Sequence, residues 1–120
     1  MHELSIAQSI LDIVGQYVPA EQQRGVKTVR VEIGDLSGVV VDSLSFCFSA
    51  VTAGTPLEHS TLEITTVPLE AECRTCRNRS RIEEFVFLCP ACGGNDLLVK
   101  SGRELQVTEI ELVDEPSEHP

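Results

Sequence analysis

The sequence has no tryptophan, one tyrosine and four phenylalanines in 120 residues, so any core built from it has to be small and aliphatic. Positive charge is also scarce. Nine lysines and arginines stand against nineteen aspartates and glutamates, a formal net charge of −10, and the pI is near 4.6. This balance argues against non-specific binding of nucleic acid by the whole molecule, which needs a basic surface to displace counterions from phosphate. It suits basic partners or cationic cargo, although a solvated acidic face is the commoner explanation. No run of eighteen apolar residues is present, so no segment reads as a membrane span. The start, Met1-His2-Glu3-Leu4-Ser5, lacks the basic and apolar regions of a signal peptide, and the expectation is a cytoplasmic protein with reduced thiols. There is no glycine-rich phosphate loop and no Ser or Cys nucleophile with a base to activate it. The chain therefore does not read as an enzyme.

What is present begins with cysteine. Cys73-Arg-Thr-Cys76 and Cys89-Pro-Ala-Cys92 are two Cys-x-x-Cys knuckles separated by twelve residues. Each knuckle offers two sulfurs from one tight turn, and two facing knuckles complete a tetrahedron around Zn²⁺. With four thiolates no coordination position is left open, so the site is structural rather than hydrolytic. The interval from Arg77 to Leu88 is long enough to run out and back as a hairpin, and Gly93-Gly94 lets the backbone pass close to the sulfurs. Arg74, Arg77, Arg79 and Arg81 surround the knuckles. They read as compensation for the −2 charge of a zinc tetrathiolate. The competing reading is a patch for nucleic acid or an acidic partner, and Glu83-Glu84 and the lack of interleaved exposed aromatics count against it.

Periodicity supplies the elements. Ala7, Ile10, Leu11, Val14 and Val18 predict a helix from Leu4 to Val18, with Ser5 and Gln8 as a capping box and Pro19 as its stop. Alternation over Lys27 to Ile33 predicts a half-buried strand. Leu44, Cys47, Phe48 and Val51 predict a second helix, with Asp42 as N-cap and Gly54 and Pro56 beyond its end. Cys47 then packs as a small hydrophobe. Thr61 to Val67 and Glu104 to Leu112 read as further strands, the last with a slip of apolar phase that suggests a bulge near Thr108-Glu109.

The fold class expected is α+β: a small three-stranded sheet with two helices, plus an inserted four-cysteine zinc-ribbon module. Residues 1–68 and 103–113 would form the main domain, 69–102 the zinc module and 114–120 a disordered acidic tail. The two ends of the insertion, Pro68 to Glu72 and Ser101 to Arg103, should lie side by side. A module of that size needs metal to fold, with Phe85, Phe87, Leu88, Leu97, Leu98 and Val99 to pack over it.

The extreme N-terminus is a second candidate metal site. The α-amine of Met1 with the His2 amide nitrogen and imidazole can close fused chelate rings around one ion. Amide nitrogens ionise readily only for metals that prefer square-planar nitrogen donors, Ni(II) or Cu(II). The bland reading is a frayed chain end. His59, in a proline-containing loop, and His119, in the tail, read as surface residues.

Several motifs together resemble the HypA/HybF hydrogenase nickel-incorporation proteins. They are Met-His-Glu-Leu-Ser-Ile-Ala at the start, Gly34-Asp-Leu-Ser-Gly38, Gly54-Thr-Pro-Leu57, the paired knuckles with Gly93, and Gly102-Arg-Glu-Leu105. The resemblance runs from Met1 to about Leu112. It implies a metallochaperone carrying Ni(II) as cargo to the [NiFe]-hydrogenase large subunit with a HypB-type GTPase, and in some organisms also serving urease maturation. It maps nickel onto His2, with backbone donors from Met1 and Glu3, and gives Glu3 a part in partner docking. It maps structural zinc onto Cys73, Cys76, Cys89 and Cys92. Arg77 departs from the family's usual glycine, which predicts a looser first turn. The competing classes are a zinc-ribbon adaptor or nucleic-acid-binding module, and a thiol–disulfide oxidoreductase.

Overall fold

The computed structural model describes residues 2–113; expectations that fall on Met1 or on the tail from Asp114 lie outside the described residues. The chain divides into two compact units. One holds residues up to Val31, Val39–Thr65 and the chain from Gln106; the other holds Glu32–Gly38 and Thr66–Leu105.

The first unit opens with helix α1, Glu3–Tyr17, which buries Ile6, Ala7, Ile10 and Val14 along one stripe. The expected capping box does not form. His2 is the N-cap, without a side-chain cap bond, and Ser5 lies inside the first turn of the helix. The acidic Glu3 at that turn instead faces the positive end of the helix dipole. Val18 ends α1, returning its amide to the Val14 carbonyl at 2.8 Å, and Pro19 cannot extend the helix. The polar stretch after it winds into a 3-10 helix, Ala20–Gly25.

Helix α2, Val41–Thr52, packs against α1 and buries Leu44, Phe48 and Thr52. Asp42 is not its cap. Val40 holds that position, one residue before the first helical residue, and Asp42 sits in the first turn. The buried Thr52 hydroxyl donates to the Phe48 carbonyl at 2.8 Å, which satisfies it inside the apolar face. Gly54 follows with φ +78, a left-handed conformation that suits glycine.

The main sheet has the order β2-β1-β6, with β1 Val26–Gly34, β2 Thr61–Val67 and β6 Leu105–Leu112. Val29 and Val31 are buried on one side of β1, and Val26 and Thr28 on the other. Arg30 of the central strand meets Glu63 on β2 at 2.8 Å and Glu111 and Glu109 on β6 at 2.9 and 3.3 Å. Glu109 and Glu111 therefore share a side, the polar phase read from the sequence beyond Thr108. Three carboxylates hold the Arg30 guanidinium charged, with Glu111 the largest influence and Glu63 the next.

The second unit is a three-stranded antiparallel sheet in the order β4-β3-β5, with β3 Glu70–Cys73, β4 Arg79–Arg81 and β5 Leu97–Ser101. Its two ends do lie side by side: Glu70 pairs with Ser101, and the Ser101 hydroxyl donates to the Pro68 carbonyl at 2.8 Å. The core is Leu69, Ala71 and Ile82, with Leu36, Leu97 and Val99 packed against it. Leu97 and Val99 therefore behave as expected. Phe85, Phe87, Leu88 and Leu98 do not, since all four are exposed.

Gly34 and Gly102 meet back to back within this unit. A Cβ on Gly34 would fall 2.0 Å from the Gly102 carbonyl oxygen, and one on Gly102 would fall 2.7 Å from Leu69 Cα. The Leu36 amide bonds to the Gly102 carbonyl at 2.8 Å and the Gly34 amide to the Glu104 carbonyl at 2.7 Å. Two motifs nearly seventy residues apart are thus the two halves of one close backbone contact.

A candidate four-cysteine metal centre and an exposed N-terminal helix end

The first knuckle is the turn of the β3–β4 hairpin. The Cys73 amide donates to the Asn78 carbonyl and the Arg77 amide to the Cys73 carbonyl, both at 2.8 Å. The second knuckle repeats the arrangement, with Cys89 amide to Gly94 carbonyl at 2.8 Å and Gly93 amide to Cys89 carbonyl at 2.7 Å. Arg77 and Gly93 occupy equivalent places with φ +67 and +77. The first turn is therefore as tight as the second, against the looser turn expected from arginine. The strand leaving the first knuckle pairs with β3, so the interval from Arg77 to Leu88 is not a hairpin of its own. Gly94 lies where a Cβ would stand 3.3 Å from Cys92 Sγ, so it keeps the backbone close to the sulfur as expected.

These turns aim four sulfurs at one point. Cys73 Sγ is 3.6 Å from Cys92 Sγ, Cys76 Sγ is 3.5 Å from Cys89 Sγ, and all four lie within 4.8 Å of one another. Zinc–sulfur bonds of about 2.3 Å place the corners of a tetrahedron roughly 3.8 Å apart, so the spacing of the donor set is close to what zinc needs. Cys73 and Cys89 are buried, while Cys76 and Cys92 open to solvent. The surroundings already favour thiolate at two positions. The Cys92 amide and then the Ala91 amide draw the Cys89 thiol down to about 6, and the Cys76 and Thr75 amides lower Cys73. At Cys76 the Asn78 amide acts in the same direction. It is outweighed by the Cys89 sulfur, burial and the other sulfurs, which push Cys76 up to about 12. Four adjacent sulfurs cannot all ionise unless a cation neutralises them. Two arginines of the cluster also have carboxylate partners. Arg74 pairs with Asp96 at 3.5 Å and Arg79 with Glu70 at 3.1 Å, which also removes two cations from any nucleic-acid patch.

The other candidate site belongs to the first unit. His2 is exposed and extended at φ −81, and its carbonyl accepts the Ile6 amide at 3.1 Å, the first bond of α1. The amide nitrogens of His2 and Glu3 precede the helical ladder and have no carbonyl within the helix to bond. Glu3 Oε2 accepts the Val40 amide at 3.0 Å, which together with the Glu3 amide lowers its pKa. This bond ties the start of α1 to the start of α2. An open cavity of about 470 Å³ beside it is lined by His2, Glu3, Leu4, Asp42, Phe46 and Cys47, among others. Cys47 is half-buried there rather than deep in the core, which its place on the apolar stripe did not reveal. His59 is exposed.

The family model for "Hydrogenase/urease nickel incorporation, metallochaperone, hypA" matches residues 1–112. The chain belongs to the HypA family. The hydrogenase maturation factor HypA of Geobacter metallireducens is 44% identical over 112 residues, covering 93% of this chain and 99% of the relative. That of Streptomyces avermitilis is 43% identical over 119 residues, covering 95% and 88%. The solution structure of the Ni metallochaperone HypA from Helicobacter pylori shares the fold at a TM-score of 0.65 and 20% identity, covering 96% of this chain and all of that one. As a HypA protein the chain is a nickel-incorporation metallochaperone for hydrogenase maturation, a maturation factor and not a catalyst. No described helix is long and apolar enough to cross a membrane.

Proposed function

We propose that the chain holds Ni(II) at its N-terminus, through the Met1 amine, the His2 amide and imidazole and the Glu3 backbone nitrogen, and holds structural Zn(II) on Cys73, Cys76, Cys89 and Cys92. One observation supports the nickel assignment above others. The helix begins at Glu3 with an exposed His2 cap, so the amide nitrogens that would ligate the ion are outside the helical ladder. Deprotonated amides also gain from the positive end of the helix dipole. An ion at a chain end is open on one side, so a receiving site can replace its donors stepwise. We assign the receiver as the [NiFe]-hydrogenase large subunit, with urease maturation as a second destination in some organisms. A HypB-type GTPase in the cytoplasm is the delivery partner. Residues 1–68 and 103–113 would carry the cargo site and 69–102 the zinc module.

Nickel binding measured by calorimetry and visible spectrum tests the cargo site. The comparison is between the native chain, His2→Ala and a version extended by one residue before Met1. His2→Ala should abolish the square-planar spectrum, while the extension moves the imidazole to the third position, where an amine, two amides and the imidazole make a different four-nitrogen plane, and should change both affinity and spectrum. Equal binding by all three would remove the N-terminal assignment.

A further inference from the structure

Phe85, Val86, Phe87 and Leu88 are four consecutive apolar residues, exposed to 59, 54, 39 and 51%. They lie between β4 and the second knuckle, outside the core of Leu69, Ala71 and Ile82. Such a run at a surface opposes solubility, and natural chains keep one when something binds it. The backbone presents the run deliberately. Glu84 and Phe85 both adopt left-handed conformations, φ +54 and +57, after Ile82 turns inward, and the Val86 amide closes the turn on the Glu83 carbonyl at 3.1 Å. Two adjacent non-glycine residues in that region are strained, and strain of this kind collects at ligand-contacting segments.

At the base of the loop lies an open cavity of about 390 Å³, floored by Leu69 and Ile82. Asp35, Glu83 and Glu84 stand on its rim with Arg81 as the lone cation. None of these four enters an ion pair among the described residues. The rim is thus acidic and uncompensated. We propose that the Phe85–Leu88 loop and this cavity form a docking surface for a partner-protein segment carrying an apolar side chain next to a lysine or arginine. Charge selects that occupant over its rivals. A second copy of the chain would bring its own −10, and the chain's tail carries Asp114, Glu115 and Glu118 with neither lysine nor arginine. The surface uses no metal ligand and does not depend on the nickel assignment.

An immobilised peptide array that crosses apolar side chains with Lys/Arg, neutral or Asp/Glu flanks tests this, probed with the full-length zinc-loaded protein. Retention on cationic–apolar peptides should exceed that on acidic–apolar ones at least ten-fold and should fall in high salt. Phe85→Ser with Phe87→Ser should lose the retention while keeping one zinc per chain. Glu83→Lys with Glu84→Lys should invert the preference toward acidic peptides. Equal retention across charge classes, or retention unchanged in either double variant, overturns the proposal. So does sedimentation showing a dimer that the phenylalanine variant dissolves, since the occupant would then be a second copy.

Discussion

Arg77 holds a left-handed backbone conformation in a turn whose twin, in the second knuckle, is filled by Gly93. For a residue with a Cβ this conformation costs about 1–2 kcal/mol, and glycine recovers part of it while adding freedom to the unfolded chain. Arg77→Gly should therefore stabilise the second unit by roughly 0.5–1 kcal/mol, read as a higher melting temperature of the zinc-loaded protein. Glu3 makes a prediction of a different kind. Its folded pKa lies below the ordinary 4.5 because the Val40 amide, above other influences, favours the carboxylate. The contribution of that bond is thus complete above the ordinary value and is lost as pH falls through the lowered one. Hydrogen exchange at the Val40 amide should accelerate relative to its neighbours on acidification below that range. In Glu3→Gln, whose oxygen stays a neutral acceptor, the relative protection should not follow pH. An identical pH dependence in both proteins would show that Glu3 does not hold the amide.

At the scale of elements, the knuckles and the glycine contact carry the second unit. Each knuckle presents one buried and one exposed sulfur, yet all four are needed to close the tetrahedron. Serine in place of any one of Cys73, Cys76, Cys89 or Cys92 should release zinc, measured by elemental analysis after dialysis against a weak chelator. Retained zinc with an unchanged melting temperature would contradict the structural role. Gly102→Ala should cost about 2–4 kcal/mol, because the new methyl meets Leu69 backbone and the φ of +112 is closed to alanine. Chemical denaturation measures it. The sequence showed the helices, most of the strands and both knuckles because each rests on local periodicity or spacing. It did not show that Glu32–Gly38 belongs with the cysteine unit. Those residues join it through the Gly34–Gly102 approach, which no local pattern encodes. The two N-cap expectations failed for a related reason. Ser5 and Asp42 are good caps by type, but the helices start at Glu3 and Val41, and a distant carboxylate takes the Val40 amide.

For the whole molecule, the two units differ in what stabilises them. The first buries a broad aliphatic set from α1, α2 and β1, as a sequence without tryptophan must. The second has Ile33, Leu69 and Ile82 as its large buried aliphatic residues, each contributing about 1.5–3 kcal/mol. A structural zinc contributes roughly 10–16 kcal/mol in small zinc domains, so zinc bound at the four cysteines would dominate there. Chelation with a strong zinc ligand should melt the second unit while leaving α1 and α2 folded. Amide exchange resolved by residue would show loss of protection confined to Glu32–Gly38 and Thr66–Leu105. Uniform loss would mean that the first unit depends on zinc as well.

The sequence by itself determined which four cysteines converge, since two Cys-x-x-Cys turns at that separation bring their sulfurs to one point. It also determined the amphipathic helices and, through motifs spread along nearly the whole chain, the family. Tertiary structure alone decided how tightly Arg77 turns, which carboxylate meets the Val40 amide, and that two distant glycine motifs share one contact. It alone put Phe85 to Leu88 in solvent instead of over the zinc unit. Each of these depends on which backbone segments approach one another, a property of the closed fold that residue type and local spacing do not contain.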